Sequence, residues 1–259
     1  MKPIHTVIFL LALMLVHMPF QGAGAEPLST YELKQQADSA YASENFDVAR
    51  EIYLQLVRKG ENAATYYNLG NTYYRLDSMA KAVLWFERAA QLDPSDDDIR
   101  FNLAMARNKT VDRIIPRHEM FFVSAWKTLM HGQSVSEWAY SAIAVFALCL
   151  FLVGLYIYSS RVALRKVGFF GAILSLLLCV LFNVMAYNLR QYNDTHTAGI
   201  IMEPAVTVRS TPTKSGTDLF VIHEGTRVEI RDNSMRDWVE IQIADGKVGW
   251  IERSAYEAI

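Results

Sequence analysis

Cysteine is scarce. The 259 residues hold two, Cys149 and Cys179, too few for a disulfide framework or a cysteine-rich metal site. Charge is sparse and balanced: charged residues make up 20% of the chain, and 25 Lys+Arg against 27 Asp+Glu leave a formal net charge of -2. No basic excess is available to displace counterions, so no nucleic-acid partner is expected. The six histidines are scattered; His5 and His17 lie at the N-terminus, and His118, His131, His196 and His223 show no zinc-ligand spacing. There is no phosphate-binding glycine loop, no G-x-S-x-G and no H-E-x-x-H, so neither enzymatic activity nor a cofactor or metal is expected.

What the chain has in excess is apolar residues: 52% are hydrophobic and the mean hydropathy is +0.10. They fall in blocks. Lys2, the apolar run Val7 to Val16, Pro19 and the small residues Ala23-Gly24-Ala25 read as a secretory signal peptide over 1–25, too short to be a span. Two longer runs, Trp138 to Tyr158 and Val167 to Tyr187, each reach about 31 Å as helix, enough to cross a bilayer. Tyrosines and Trp138 sit at their ends, as the headgroup layer favours. The intervening 159–166 carries Arg161, Arg165 and Lys166 without an acid, so by the positive-inside rule it is the cytoplasmic side, and both flanks lie outside. Within the spans, Cys149 and Cys179 read as small fillers, Gly171 and Ser175 as a close-packing pair, and Asn183 as an amide bonded to the neighbouring helix rather than a transport path.

Between Glu26 and Thr110 the periodicity is helical. Tyr66, Leu69, Gly70, Tyr73, Ala82, Phe86, Ala89 and Pro94 occupy the positions where tetratricopeptide repeats place their signature residues. The small residues let two antiparallel helices approach, Leu69, Tyr73 and Phe86 fill the space, and Pro94 ends the second helix. Weaker copies flank the unit: Ala37, Phe46, Ala49 and Tyr53 upstream, and Phe101-Asn102-Leu103-Ala104 downstream. Ser29-x-x-Glu32 and Ser95-x-x-Asp98 are read as capping boxes. The resemblance gives about two and a half repeats over 26–112, and the last half unit needs a cap or a neighbour to lean on. It implies a concave face presenting Gln35, Asp38 and Tyr41, then Tyr67, Asn68, Asn71, Tyr74 and Arg75, then Asn102 and Met105. Amides, an arginine and tyrosines suit an extended peptide. Asn68, Asn71, Arg75 and Asn102 resemble part of a carboxylate clamp whose usual lysines are missing; a solvated polar face without a ligand is the competing reading.

Segment 113–137 carries Phe121, Phe122, Ala125, Trp126, Leu129 and Met130 at helical spacing. Two placements are open for this stripe, the headgroup layer or the underside of the array. Ser134-x-x-Glu137 is expected to cap the first span.

From Thr197 the pattern alternates with period two: Val206 and Val208, then Val239, Ile241 and Ile243, inward. Asp245-Gly246 signals a two-residue hairpin and Gly225 another turn. The run VRSTP, then EGTRVEI, then DGKVGWI resembles the bacterial SH3-like domain and implies a small antiparallel barrel over 195–259. Domains of that kind often bind cell-wall peptides or proline-containing segments. Trp238, Trp250, Tyr256 and Phe220 are candidates for an aromatic groove, with Trp250 expected in the core instead and Trp238 undecided.

Taken in order, the expected organisation is a signal peptide (1–25), a helical repeat array (26–112), a juxtamembrane segment (113–137), a two-helix transmembrane hairpin (138–158 and 167–188, joined by 159–166) and an all-β C-terminal domain (195–259). This order, with RFNLAMARNKTVDRI, EMFF and SGTDLFVIHEGTRVEI, resembles the BatE family of the Bacteroides-type aerotolerance operon. The resemblance implies an inner-membrane scaffold with its array and SH3-like domain on the periplasmic side. It implies protein partners among other Bat proteins, some bearing von Willebrand A domains. A peptidoglycan sensor or anchor is the alternative.

Overall fold

Serine at the start of the first helix sets the pattern for the array. In a computed structural model, which describes residues 29–115, 120–130, 132–195 and 197–259, the Ser29 hydroxyl accepts from the Glu32 N–H at 3.2 Å while Glu32 Oε2 accepts from the Ser29 N–H at 2.9 Å. That reciprocal cap opens α1 (Thr30–Ala42), followed by α2 (Phe46–Lys59), α3 (Ala63–Arg75), α4 (Met79–Leu92) and α5 (Asp97–Arg107). The signal-peptide reading lies outside the described residues. The cap expected at Ser95 stands one residue on: Asp96 accepts from the N–H groups of Asp98 and Ile99, and Ser95 bonds Asp93 instead. A carboxylate beside the first turn complements the helix dipole better than a hydroxyl.

The helices pack as two hairpins and a fifth helix. Leu69, Phe86, Ala82 and Ala89 are fully buried between α3 and α4. A Cβ on Gly70 would lie 2.7 Å from the Phe86 ring, so this glycine is what lets the ring cross. The two inter-helix turns are copies of each other. Glu44 (φ 60°) and Asp77 (φ 56°) adopt the left-handed conformation, and the next N–H groups, of Asn45 and Ser78, reach back to the carbonyls of Ala40 and Tyr73. This is the Schellman closure, made here without glycine.

Beyond the array come α6 (Phe121–Met130), α7 (Val135–Tyr158) and α8 (Val162–Thr195). Ser134 and Glu137 form the expected capping box on α7. α7 and α8 are long and apolar enough to cross a membrane, and only 11% of each apolar window is buried, which a core helix of a soluble domain would not tolerate. They pack antiparallel along their length. A Cβ on Gly168 would meet the Tyr156 nitrogen at 2.7 Å, so the two backbones nearly touch there, and Ser175 is buried nearby. The link between them, 159–161, is shorter than expected because α8 begins at Val162 and takes Arg165 and Lys166 into its first turns. Both cysteines are free: Cys149 Sγ lies 3.4 Å from the Ala172 carbonyl and Cys179 Sγ 3.6 Å from that of Ala142. Asn183 corrects its expectation: its amide donates to the Cys179 carbonyl of its own helix at 2.8 Å, one turn back, and not to α7.

The stripe on α6 does not run under the array. Phe121 is 87% exposed, and Phe122 and Leu129 are also exposed. Its last turn instead joins the hairpin: Met130 is buried with Trp138, Met185 and Leu189, and Trp138 Nε1 donates to the Met130 carbonyl at 3.1 Å.

The C-terminal strands β1 (Ala198–Ile201), β2 (Ala205–Arg209), β3 (Asp218–His223), β4 (Arg227–Asp232), β5 (Trp238–Gln242), β6 (Val248–Glu252) and β7 (Tyr256–Ala258) form one antiparallel sheet in the order β3-β2-β6-β5-β4-β1-β7. It coils around Ile201, Val208, Ile222, Val239, Ile241 and Ile251. The expected barrel is not closed: β3 and β7 are edges. The C-terminal edge is occupied elsewhere, with Arg88 of α4 donating to the Ala258 carbonyl at 2.5 Å and pairing with Glu257 at 3.1 Å. The β5–β6 hairpin also differs. The Ile243 N–H bonds the Lys247 carbonyl, and Ala244, Asp245 and Gly246 (φ 88°) form a three-residue loop, in which glycine supplies the left-handed position.

Array and sheet are docked. β1 is buried on both faces, with Ile201 in the sheet's core and Ile200 in the array's. Met202 and Ile259 join Ile200 against the helices. The sheet therefore covers α4, the second helix of the central repeat.

Candidate functional site

Between them, α3 and α5 bring three of the expected residues together. Asn102 Nδ2 donates to Tyr67 Oη and to Asn71 Oδ1, each at 2.9 Å. Both donors of that amide are thereby used within the triplet, whose remaining Asn71 donors and Asn102 carbonyl oxygen match the acceptor and donor of a peptide unit. Tyr67 is fixed from behind by its ring on Phe86, with centroids 5.9 Å apart. The cluster is held in place before any ligand arrives, which lowers the ordering cost of binding.

The neighbouring position is built differently. Tyr53 Oη donates to Asp38 Oδ1 at 2.7 Å, and Asp38 Oδ2 receives Lys34 at 2.6 Å. Burial, then the bond to Asp38, pushes the Tyr53 phenol up, while a bond from the Asn68 side chain acts the other way. Burial alone would raise Asp38, but the bonds from Lys34 and Tyr53 outweigh it and hold the carboxyl below its ordinary range. Asn68 thus belongs to a chain linking α1, α2 and α3, separate from the Asn71–Asn102 pair.

Arg75 stands apart from both. Its guanidinium lies 4.5 Å from the Phe46 ring and 3.5 Å from Glu44, against the α1–α2 turn. Lys109 Nζ lies 4.2 Å from the ring of Tyr74, the residue before Arg75 in the chain. This lysine follows Arg75 by the same 34-residue step that relates Phe101 to Tyr67. Lys109 therefore supplies a cation where none was expected, and the repeat register was the signal for it.

The sheet divides its aromatics. Phe220 and Tyr256 pack against the inner core, whereas Trp238 and Trp250 are half-buried on the opposite surface, alternating with buried Val239 and Ile251. Trp250 therefore corrects the expectation that it fills the core. Cross-strand register sets Trp250 beside Glu240 and Arg209, and Trp238 beside Glu252. The four rings do not line one groove.

At the far end of the hairpin, Arg165 lies 5.3 Å from the Tyr156 ring, and Arg161 and Lys166 complete the basic cluster. Among the described residues no group of three or more His, Cys, Asp or Glu is placed to hold a metal ion.

With this geometry in view, comparison with known families finds two matches. Residues 34–97 match the tetratricopeptide repeat model, and residues 204–257 match the bacterial SH3 domain model. No curated protein matches the chain. A repeat array of the protein-interaction class and an SH3-type domain, of a kind often found in cell-wall binding, support an adaptor role.

Proposed function

We propose that this chain is a non-enzymatic, membrane-anchored adaptor of the bacterial envelope. In this reading α7 and α8 span the inner membrane, the arginine–lysine turn is cytoplasmic, and the array and sheet sit together on the periplasmic side. The array takes an extended segment of a protein partner on the surface around Tyr67, Asn71, Asn102, Tyr74 and Arg75. The observation that carries the reading is the docking of the two soluble modules on each other while that surface stays open. A ligand bound there is held at a fixed place relative to both the bilayer and the sheet. By its resemblance to BatE-type proteins, the partners are other Bat proteins, including those with von Willebrand A domains, in an envelope-stress or aerotolerance complex. Photo-crosslinking in intact cells from Asn68 or Arg75 tests it. Capture of such a partner supports the adaptor, and capture of none sinks it.

The outward placement of Trp238 and Trp250 favours a second reading, in which the sheet contacts peptidoglycan and the array reports that contact. Co-sedimentation of the detergent-solubilised full chain with sacculi decides it. The wall reading requires binding that falls on Trp238→Ala and Trp250→Ala.

A further inference from the structure

A cleft of about 720 Å³ opens where the array, α6 and the sheet meet, within the usual range of small-ligand sites of roughly 300 to 1,000 Å³. Arg107 and Arg113 come from the end of the array, Lys127 from α6 and Arg227 from β4, while Ile114 and Ile243 give it an apolar wall. The carboxylates on its lining are Asp112 and Glu229. Asp112 is turned to the sheet, with one oxygen taking the His223 N–H and the Thr226 hydroxyl and the other lying on His223 Nδ1. Glu87, buried behind the cleft, pairs with Arg107 and lies 3.9 Å from Arg227. Glu229 lies 3.7 Å from Arg227, and among the described residues the four lining cations still outnumber Asp112, Glu229 and Glu87 together.

The position of this cleft matters as much as its charge. α6 supplies Lys127 from one side, and its last turn is packed into the hairpin through Met130 and Trp138. Exposed Phe121, Phe122 and Leu129 continue that apolar surface, so the cleft adjoins a helix suited to the headgroup layer. A ligand at this level needs an anionic head and an apolar continuation.

We propose that this cleft binds the phosphate-bearing headgroup of an anionic phospholipid from the outer leaflet of the same membrane. The inference rests on α7 and α8 being membrane-spanning. Occupancy would brace the array–sheet junction against the bilayer through Arg113 and Lys127.

The test uses the full chain in lipid nanodiscs and detergent, with phosphatidylglycerol and phosphatidylcholine as probes and native mass spectrometry as readout. Wild type should retain phosphatidylglycerol over phosphatidylcholine. Arg113→Gln with Lys127→Gln should weaken that retention about thirtyfold, two charges' worth of attraction. Arg113→Lys with Lys127→Arg should preserve it, and Arg165→Gln with Lys166→Gln, at the other end of the hairpin, should leave this lipid in place. Undiminished retention in the first double variant, with its circular dichroism unchanged, overturns the proposal. So does displacement of the lipid by millimolar inorganic phosphate, which would make the ligand a soluble phosphate. A chain that does not enter nanodiscs at all fails earlier, at the membrane reading itself.

Discussion

Asp112 and His223 meet across the junction of the array and the sheet, with Oδ1 and Nδ1 2.8 Å apart and the His223 N–H on the other carboxylate oxygen at 2.7 Å. Thr226 adds a hydroxyl at 2.6 Å. One side chain leaving the helical array thus closes the β3–β4 turn, where Gly225 (φ 82°) passes so close to Thr110 that a Cβ would lie 2.5 Å from its methyl group. The two modules are joined by chemistry as specific as that within either one.

Stability should therefore depend on pH through Asp112. Burial raises its pKa, but the bonds from Thr226 and His223 outweigh that and hold the carboxyl below its ordinary range. A depressed folded pKa means the contribution is fully present above the unfolded value of about 3.9 and is lost as pH falls through the lower folded value. Asp112→Ala is expected to cost about 1 to 3 kcal/mol at pH 7, and the gap from wild type should narrow in denaturant melts below pH 4. A gap that widens in acid would contradict this assignment.

Gly70→Ala tests the packing of the central repeat. Its Cβ would fall 2.7 Å from a Phe86 ring that is fully buried and has no room to retreat. Overpacking of this kind costs about 1 to 3 kcal/mol. Phe86→Leu in the same chain should recover part of that loss, and purely additive costs in urea melts would show that the two do not touch.

Trp250→Ala should cost less than Ile251→Ala, although it removes the larger side chain. Ile251 is fully buried in the sheet's core, while Trp250 is half-buried on the outer surface. Emptying a core isoleucine costs about 2 to 5 kcal/mol, and a half-exposed ring gives up only part of its burial. The reverse order in thermal melts would return Trp250 to the core.

What sequence could show here followed the range of each interaction. Gly70 opposite Phe86, the capping box of Ser134 and Glu137, and the alternation of Val239 and Ile241 are set within one turn, one hairpin or one strand, and all were legible. Trp250 was legible in principle. Strand parity with Ile251 inward places it outward, but the size of the ring suggested a core role instead. Asn102 with Tyr67 and Asn71 needed the superhelical stacking of repeats to become a triplet. Asp112 with His223, and Ile200 among the helices, join residues more than a hundred positions apart, and no local periodicity encodes such a pairing. The open sheet has the same origin, since the edge strand β7 is committed to Arg88 of the array rather than to β3.

Ile200→Asp should uncouple the modules while leaving each folded. Ile200 is fully buried and belongs to the helical core, whereas its neighbour Ile201 turns to the sheet's core, so the strand can keep its ladder to β4 and β7 when this one side chain changes. An aspartate there would bury an unpaired charge at the junction, and separating the two surfaces is the least costly escape. The expected signature is loss of one cooperative unfolding transition and appearance of two, with new protease sensitivity near 108–115. Because the sheet covers α4, that helix should also lose amide protection while α1 to α3 keep theirs. Two transitions with α4 still protected would show that the array is complete without the sheet, and that its docking serves only to position the second module, whereas a single transition would contradict the uncoupling itself.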